Sequence, residues 1–380
     1  MKLRVCFIVD SGTDVRLVEG LAERTELTVI ARRIRGGREI SQTPRCQIPV
    51  EVGPDSHVAF ARFVARRWKS IRDRADVVIV QGYGPTAAAA NVMGRATGTG
   101  VRMLVCSPVE AYYRARRNPG SPRPYRTTEY GAIAAMARFN ARIGQGYVVL
   151  SPYLASVVRE TGTARPVDVA PVYGIDSTIF RPSSEDRAAL RQRLGLPVDE
   201  AIVFFSSRVA PEKDATTVVE ALSRLATSGR QVRVLHRSGG YEEFVGLARR
   251  MGVADRVIAS DAVAPFEPLA DCYRASDVCV QASREEGLGF SPLEALACEV
   301  PVVASAVGGL LDTIRDGQTG WSVPVGDSRA LAGAIANVLD DPPEARRRAR
   351  AGRDLVMQHY ERTHAFDALL GALERAVIRS

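Results

Sequence analysis

Apolar positions along the chain fall in short runs separated by longer amphipathic stretches. "RVCFIV", "DVVIV", "VRMLV", "AIVFF" and "DVCVQ" are typical runs. They predict strands near 3–9, 26–31, 76–81, 101–106 and 146–151 in the first half of the chain. In the second half they predict strands near 167–172, 201–206, 232–236, 256–259, 277–281 and 301–304. Most runs are rich in Val and Ile and show no strict alternation, as expected of strands covered on both faces of a parallel sheet. Strand–helix–strand alternation at this spacing makes βαβ units, so the class is α/β. The pattern restarts after "GIDSTIFRPSSEDRAALRQRLGLP", whose turn residues place a linker near 173–200. The expected boundaries are 1–175, 176–355 and a closing helical segment, 356–380. The architecture implied is two Rossmann-like, doubly wound domains facing a cleft, with ligands outside the carboxyl ends of the strands.

Composition narrows the class further. A chain of 380 residues with 46% hydrophobic and 25% charged content suits two globular domains. The opening "MKLRVCFIVD" ends its apolar run at Asp10 and reads as a first buried strand, not a leader. The six cysteines contain no C-x2-C pair, which argues against zinc and for reduced core thiols. Residues 1–170 carry 26 Lys+Arg against 14 Asp+Glu, and the remainder 25 against 29. The basic half suits an acidic partner: a phosphorylated acceptor, an anionic lipid surface or nucleic acid. Lysine occurs only at Lys2, Lys69 and Lys213, so arginine richness by itself says little, whereas a lysine is a distinct choice. The segment "HVAFARFVARRWKSIRDR" sets Phe60, Val64, Trp68 and Ile71 on one helix face. That face reads either as core or as a membrane-surface contact.

Candidate chemistry gathers after the strands of the second half. In "EEGLGFSPLEALA", Glu286 and Glu294 bracket seven residues that include two glycines. Carboxylates accept from sugar hydroxyls, and glycine-turn N–H groups can approach phosphate or hydroxyl oxygens. Ser291-Pro292-Leu293-Glu294 also reads as a capping box with Ser291 at the cap. "SSRVAPEKD" puts Arg208 and Lys213 just before a helix, where they are either solvated loop cations or a diphosphate clamp. Gly308 and Gly309 open another helix after a strand.

The stretch "SREEGLGFSPLEALACEVPVVASAVGGLLDTIRDGQTGWSVPVGD" resembles the signature of glycosyltransferase family 4, retaining enzymes of the GT-B fold. "SSRVAPEKD" and "PVYGIDSTIFRP" resemble two more of that family's segments, with Tyr173 where asparagine is usual. The resemblance implies a GT-B fold whose C-terminal helix returns to the first domain. It implies that Glu286 meets donor-sugar hydroxyls and that backbone groups of Gly287, Leu288, Gly289, Phe290 and Ser291 hold sugar and diphosphate. Glu294 would bind ribose, while Arg208 and Lys213 would stabilise the leaving diphosphate without a metal or other cofactor. Gly-Leu-Gly-Phe replaces the commoner Gly-Phe-Gly-Leu. The family's N-domain histidine has no counterpart, so its contact is either missing or made by Gln81, Ser107 or Glu110, and His236 reads either as a structural residue or as a further candidate beside the diphosphate. Gly12 and Thr13, after the first strand, would complete the donor site. "PVEAYYRARRNPGSPRPYRTTEY" reads as an acceptor loop, with Glu110, Tyr112, Tyr113 and Arg114 as its contacts.

The expected activity is therefore retaining, metal-independent transfer of a sugar from a nucleotide-diphosphate sugar to an acceptor hydroxyl. A scaffold that binds a nucleotide sugar and regulates a partner enzyme is the alternative. The expected partners are the donor and a small-molecule or lipid-linked acceptor, and no nucleic acid. The expected location is cytoplasmic, with the basic half available to the inner face of an anionic membrane.

Overall fold

A computed structural model of the chain describes residues 2–34, 48–108, 127–260 and 266–378. They form two compact units. The first runs to Gly174 and resumes at Thr363, and the second runs from Ile175 to Arg362.

The first unit carries seven parallel strands: β1 (Arg4–Val9), β2 (Glu26–Arg32), β3 (Val50–Gly53), β4 (Val77–Gln81), β5 (Gly100–Val105), β6 (Tyr147–Val149) and β7 (Val167–Val169). Their order is β3-β2-β1-β4-β5-β6-β7. Phe7 sits beside Val29 on one side and Ile79 on the other, so the sheet reverses its direction of growth between β1 and β4. Helix His57–Arg74 lays Phe60, Val64, Trp68 and Ile71 into the core, and the Trp68 indole donates to Thr97 Oγ1 at 2.9 Å. Burying such side chains contributes about 1.5–3 kcal/mol each. That apolar face is therefore spent inside the unit, which overturns the membrane-surface reading of this helix. Among the described residues, no helix is long and apolar enough to cross a membrane.

Helix Arg362–Ile378 belongs to the first unit. The Phe366 ring fills the space over Gly20, where a Cβ would lie 2.0 Å from it, and the Arg24 guanidinium covers the same ring at 4.5 Å. The returning helix thus docks by shape against a glycine and by a cation–π contact.

The second unit repeats the plan with β8 (Ala201–Phe204), β9 (Val232–Arg237), β10 (Val257–Ser260), β11 (Val278–Gln281), β12 (Val302–Ser305) and β13 (Trp321–Val323). The parallel order is β10-β9-β8-β11-β12-β13, with its reversal between β8 and β11. Two strands are absent from the sequence reading. β3 is the short edge segment "VEVG", and β13 is the three-residue "WSV", each too brief for a run to stand out. The stretch read as a linker is folded structure. Helix Arg187–Arg193 holds the buried Arg191, which donates to the carbonyls of Ala275, Val198 and Glu200 and to Asp277. The division between the two units, Gly174 to Ile175, falls at the start of that stretch.

Candidate active site

The reversal between β8 and β11 brings two loops together that lie some seventy residues apart in sequence. After β8 the chain turns through Pro211–Lys213, and Asp214 takes a left-handed conformation, φ +47°, to cap helix Ala215–Thr227. The Asp214 carboxylate accepts from Thr217 Oγ1 at 2.8 Å and from Arg284 Nη2 at 2.8 Å. The Arg284 N–H donates to the Glu212 carbonyl at 2.8 Å. Arg284 therefore ties the loop after β11 to the loop after β8.

That tie places Lys213 Nζ 2.5 Å from Glu286 Oε2, with both side chains largely buried. The same oxygen faces Ser283 Oγ at 3.1 Å and Gln281 Nε2 at 3.2 Å, and Ser207 Oγ donates to Gln281 Oε1 at 2.9 Å. A carboxylate held this way at the rim of a loop is preorganised to receive hydroxyls, and the ammonium beside it is poised for an anion. Arg208 is different. Its guanidinium is 58% exposed and pairs at 2.5 Å with Glu212, which is fully buried. It is the exposed cation of the site.

The glycine turn is built by contact as well as by dihedral freedom. Gly289 sits at φ +90° and caps helix Phe290–Ala297, and a Cβ there would lie 2.6 Å from Leu310. Ser291 is thus inside the first turn and not the cap, which corrects the capping-box reading. The cap position needs a left-handed backbone, which favours glycine over serine. A Cβ on Gly309 would lie 2.2 Å from the Gly287 carbonyl oxygen, and the Gly309 N–H donates to the Glu286 carbonyl at 3.0 Å. The two glycine segments therefore lock against each other, and only the absence of side chains allows it. In the Gly-Leu-Gly-Phe order, Leu288 is buried and Phe290 is half-buried at the helix start.

Glu294 lies one turn into that helix, 4% exposed. The Tyr273 hydroxyl stands 3.0 Å from its Oε2 and 3.1 Å from Ser206 Oγ. Burial, and then the Glu294 charge, pushes the Tyr273 phenol well above its ordinary range, so it stays a proton donor to the carboxylate. The Tyr273 ring is held edge-on by Phe204 at 4.9 Å and Phe180 at 6.2 Å. Sequence reasoning missed Tyr273, Ser283, Gln281, Glu212 and Arg284. The one available signal was a polar Gln281 closing an apolar strand.

His236 is a correction. It is fully buried, stacked on Phe205 and Phe244 at 5.4 and 4.5 Å, with Nδ1 2.9 Å from the Phe205 carbonyl. Burial, partly opposed by that hydrogen bond, lowers its pKa. The three rings of Phe205, His236 and Phe244 stack on one another, 4.5 to 5.6 Å apart, so His236 is part of the core of the second unit.

In the first unit Gly12 is exposed and its carbonyl accepts from Gln81 Nε2 at 3.3 Å, while Thr13 and Ser107 are half-buried. Glu110, Tyr112, Tyr113 and Arg114 lie outside the described residues. The described residues hold no cluster of metal-ligating side chains.

Residues 186–355 match the family described as glycosyl transferases group 1. A D-inositol 3-phosphate glycosyltransferase of Acidothermus cellulolyticus is 34% identical over 215 residues, which are 54% of this chain and 47% of the relative. The chain spans about half the length of the relatives it matches in this way. A sucrose-phosphate synthase of Thermosynechococcus elongatus superposes with a TM-score of 0.80 at 23% identity, over 99% of both chains. Anabaena HepE, solved in complex with UDP and glucose, superposes with a TM-score of 0.78 at 17% identity, over 98% of this chain and 100% of that one. Likeness at these identities is likeness of fold, and the fold is GT-B.

Proposed function

We propose a transferase that moves a sugar from a nucleotide-diphosphate donor to an acceptor hydroxyl, with retention at the anomeric carbon and no metal ion, a reading supported by the match of residues 186–355 to the family described as glycosyl transferases group 1. The observation that carries this reading is the buried Lys213–Glu286 pair, 2.5 Å apart beside a glycine turn at the sheet's reversal. Glu286 receives hydroxyls of the transferred sugar. Lys213, released from part of its pairing, meets the diphosphate, and Arg208 swings in from the surface. The backbone of Gly287 to Ser291 and the N-terminus of helix Phe290–Ala297 add N–H donors for the phosphate oxygens. Glu294, oriented by Tyr273, takes the ribose hydroxyls. As the bond from the anomeric carbon to the phosphate oxygen lengthens, negative charge accumulates on the departing diphosphate. Preorganised cations at that point stabilise the transition state more than the bound donor.

The test is a panel of UDP-, GDP- and ADP-sugars. At least one donor should raise Tm, as binding to the folded state must. The same donor should be slowly hydrolysed, with activity surviving EDTA and the product keeping the donor's anomeric configuration. Donor binding without any turnover, with acceptors present, would identify a regulatory scaffold. Loss of activity with EDTA would overturn the metal-independent mechanism.

A further inference from the structure

Four buried polar side chains form a directed relay across the reversal between β8 and β11. Ser207 follows β8, Gln281 ends β11, and Ser283 and Glu286 lie on the loop beyond it. Gln281 Nε2 faces Glu286 Oε2 at 3.2 Å, and a carboxylate paired with Lys213 only accepts, which assigns the amide. The Ser207 hydroxyl donates to Gln281 Oε1 at 2.9 Å. Gln281 Nε2 also donates to Ser283 Oγ at 2.7 Å, and the Ser283 hydroxyl donates in turn to Glu286 Oε2 at 3.1 Å. Every donor in the chain points towards one carboxylate oxygen, and bonds aligned this way polarise one another. Lys213 Nζ is the third group on Oε2. No described residue donates to Oε1, and the side chain keeps 9% of its surface accessible, so Oε1 is the oxygen left for a ligand.

A glutamine that is 1% exposed at the end of the strand "VCVQ" is unfavourable unless its amide is used. Here the carbonyl oxygen and the amide nitrogen are both used, and the use ends on Glu286. We propose that Gln281, oriented by Ser207, is a positioning residue for the donor sugar: with Ser283 it fixes Glu286 Oε2 and so presents Oε1 alone to the sugar hydroxyls. The inference rests on the transferase reading and adds to it how the sugar-binding carboxylate is held. Were Lys213 the only partner of Oε2, its turn towards a diphosphate would release Glu286 as well. The relay keeps the carboxylate in place while the ammonium changes partner. Its contribution therefore falls on the sugar and not on the nucleotide.

Isothermal titration of the full chain with matched pairs, UDP and UDP-glucose, GDP and GDP-mannose, ADP and ADP-glucose, reads the sugar contact apart from the nucleotide contact. The quantity measured is the Kd of the nucleotide sugar divided by the Kd of its nucleoside diphosphate. Gln281→Leu should raise that ratio about tenfold to a hundredfold, the loss of a hydrogen bond to a charged group. The nucleoside diphosphate should bind as it does to wild type. Ser207→Ala should raise the ratio by less, about threefold to tenfold, the loss of a neutral hydrogen bond. The double variant should match Gln281→Leu alone, because the serine acts only through the amide. An unchanged ratio in Gln281→Leu, an equal loss of nucleoside diphosphate and nucleotide sugar, or additive effects in the double variant would each overturn the proposal and leave the transferase reading standing. A wild type that binds none of these nucleotide sugars would overturn that reading, and this inference with it. Should Gln281→Leu fail to fold, Ser207→Ala decides by the same ratio.

Discussion

In the first unit β1 and β4 end in Asp10 and Gln81. In the second, β8 and β11 run into loops that carry Lys213 and Glu286. The backbone plan is the same: a parallel sheet that reverses its growth, with strand ends splayed and loops free to hold a ligand. The chemistry differs. The second unit offers cations, helix N-terminal amides and a carboxylate, a set for a sugar joined to phosphate. The first offers the buried Asp10 and Gln81, with Arg32 and His57 paired to the Asp10 carboxylate. A duplicated architecture thus leaves the choice of ligand to a handful of loop residues. In the second unit those residues are fixed by cross-loop contacts, Arg284 to Asp214 and Gly309 to Gly287. In the first unit they are fixed by strand-end side chains that brace one another, Arg32 on Asp10 and Asp10 on His57.

The contrast breaks most sharply at Lys213. Lys213→Ala should lower kcat about a hundred- to a thousandfold under saturating donor, with a much smaller change in donor affinity. Lys213→Arg should recover only part, because a forked guanidinium cannot take the ammonium's place against Glu286. Steady-state kinetics with nucleotide release as readout would decide, and a near-normal kcat in Lys213→Ala would remove the central cation from the mechanism.

A smaller effect is expected at Gly309. Gly309→Ala drives a Cβ into the Gly287 carbonyl, so the two glycine segments must separate. Overpacking of this kind costs about 1–3 kcal/mol. Thermal unfolding should show a lower Tm, and, on the proposed role of Gly287 in phosphate binding, KM for donor should rise. An unchanged Tm would mean the loops are not locked as described.

Next comes the ribose contact. Glu294→Ala should raise KM for donor with little change in kcat, since the ribose interaction proposed for it would hold in ground and transition states alike. Tyr273→Phe leaves the carboxylate in place and unbraced, so it should move KM in the same direction by less. A large fall in kcat for Tyr273→Phe would give the phenol a role in the chemical step.

The smallest effect tests the core of the second unit. His236 binds its proton less readily folded than unfolded, because burial lowers its pKa from the free value of 6.5. The unfolded state therefore takes up more protons as pH falls below that value, and stability should decline with pH there. Above it the contribution is complete. The His236 ring resonances, followed by NMR, should titrate below pH 6.5, and a titration at or above that value would contradict its burial against Phe205 and Phe244.

The sequence by itself determined the class of fold and most of the residues gathered at the candidate site. Uninterrupted Val/Ile runs between amphipathic helices can only be satisfied by a parallel sheet covered on both faces, so strands such as β1, β4 and β8 were legible to within a residue or two. Glu286, Glu294, Arg208 and Lys213 stood out because they follow such strands and sit among glycines, and local spacing is enough to see that. Tertiary structure decided which of them meet. The pairing of Lys213 with Glu286 joins loops from non-consecutive strands. No local pattern encodes it, because strand order is set by packing across the whole sheet. The cap at Gly289 in place of Ser291, the withdrawal of His236 into the core and the bracing of Glu294 by Tyr273 have the same origin. Each depends on the space and partners left by distant elements. The meeting of Asp10 with Arg32 and His57 lay beyond the sequence for that reason as well: three polar residues on three separate segments come together only in the folded sheet.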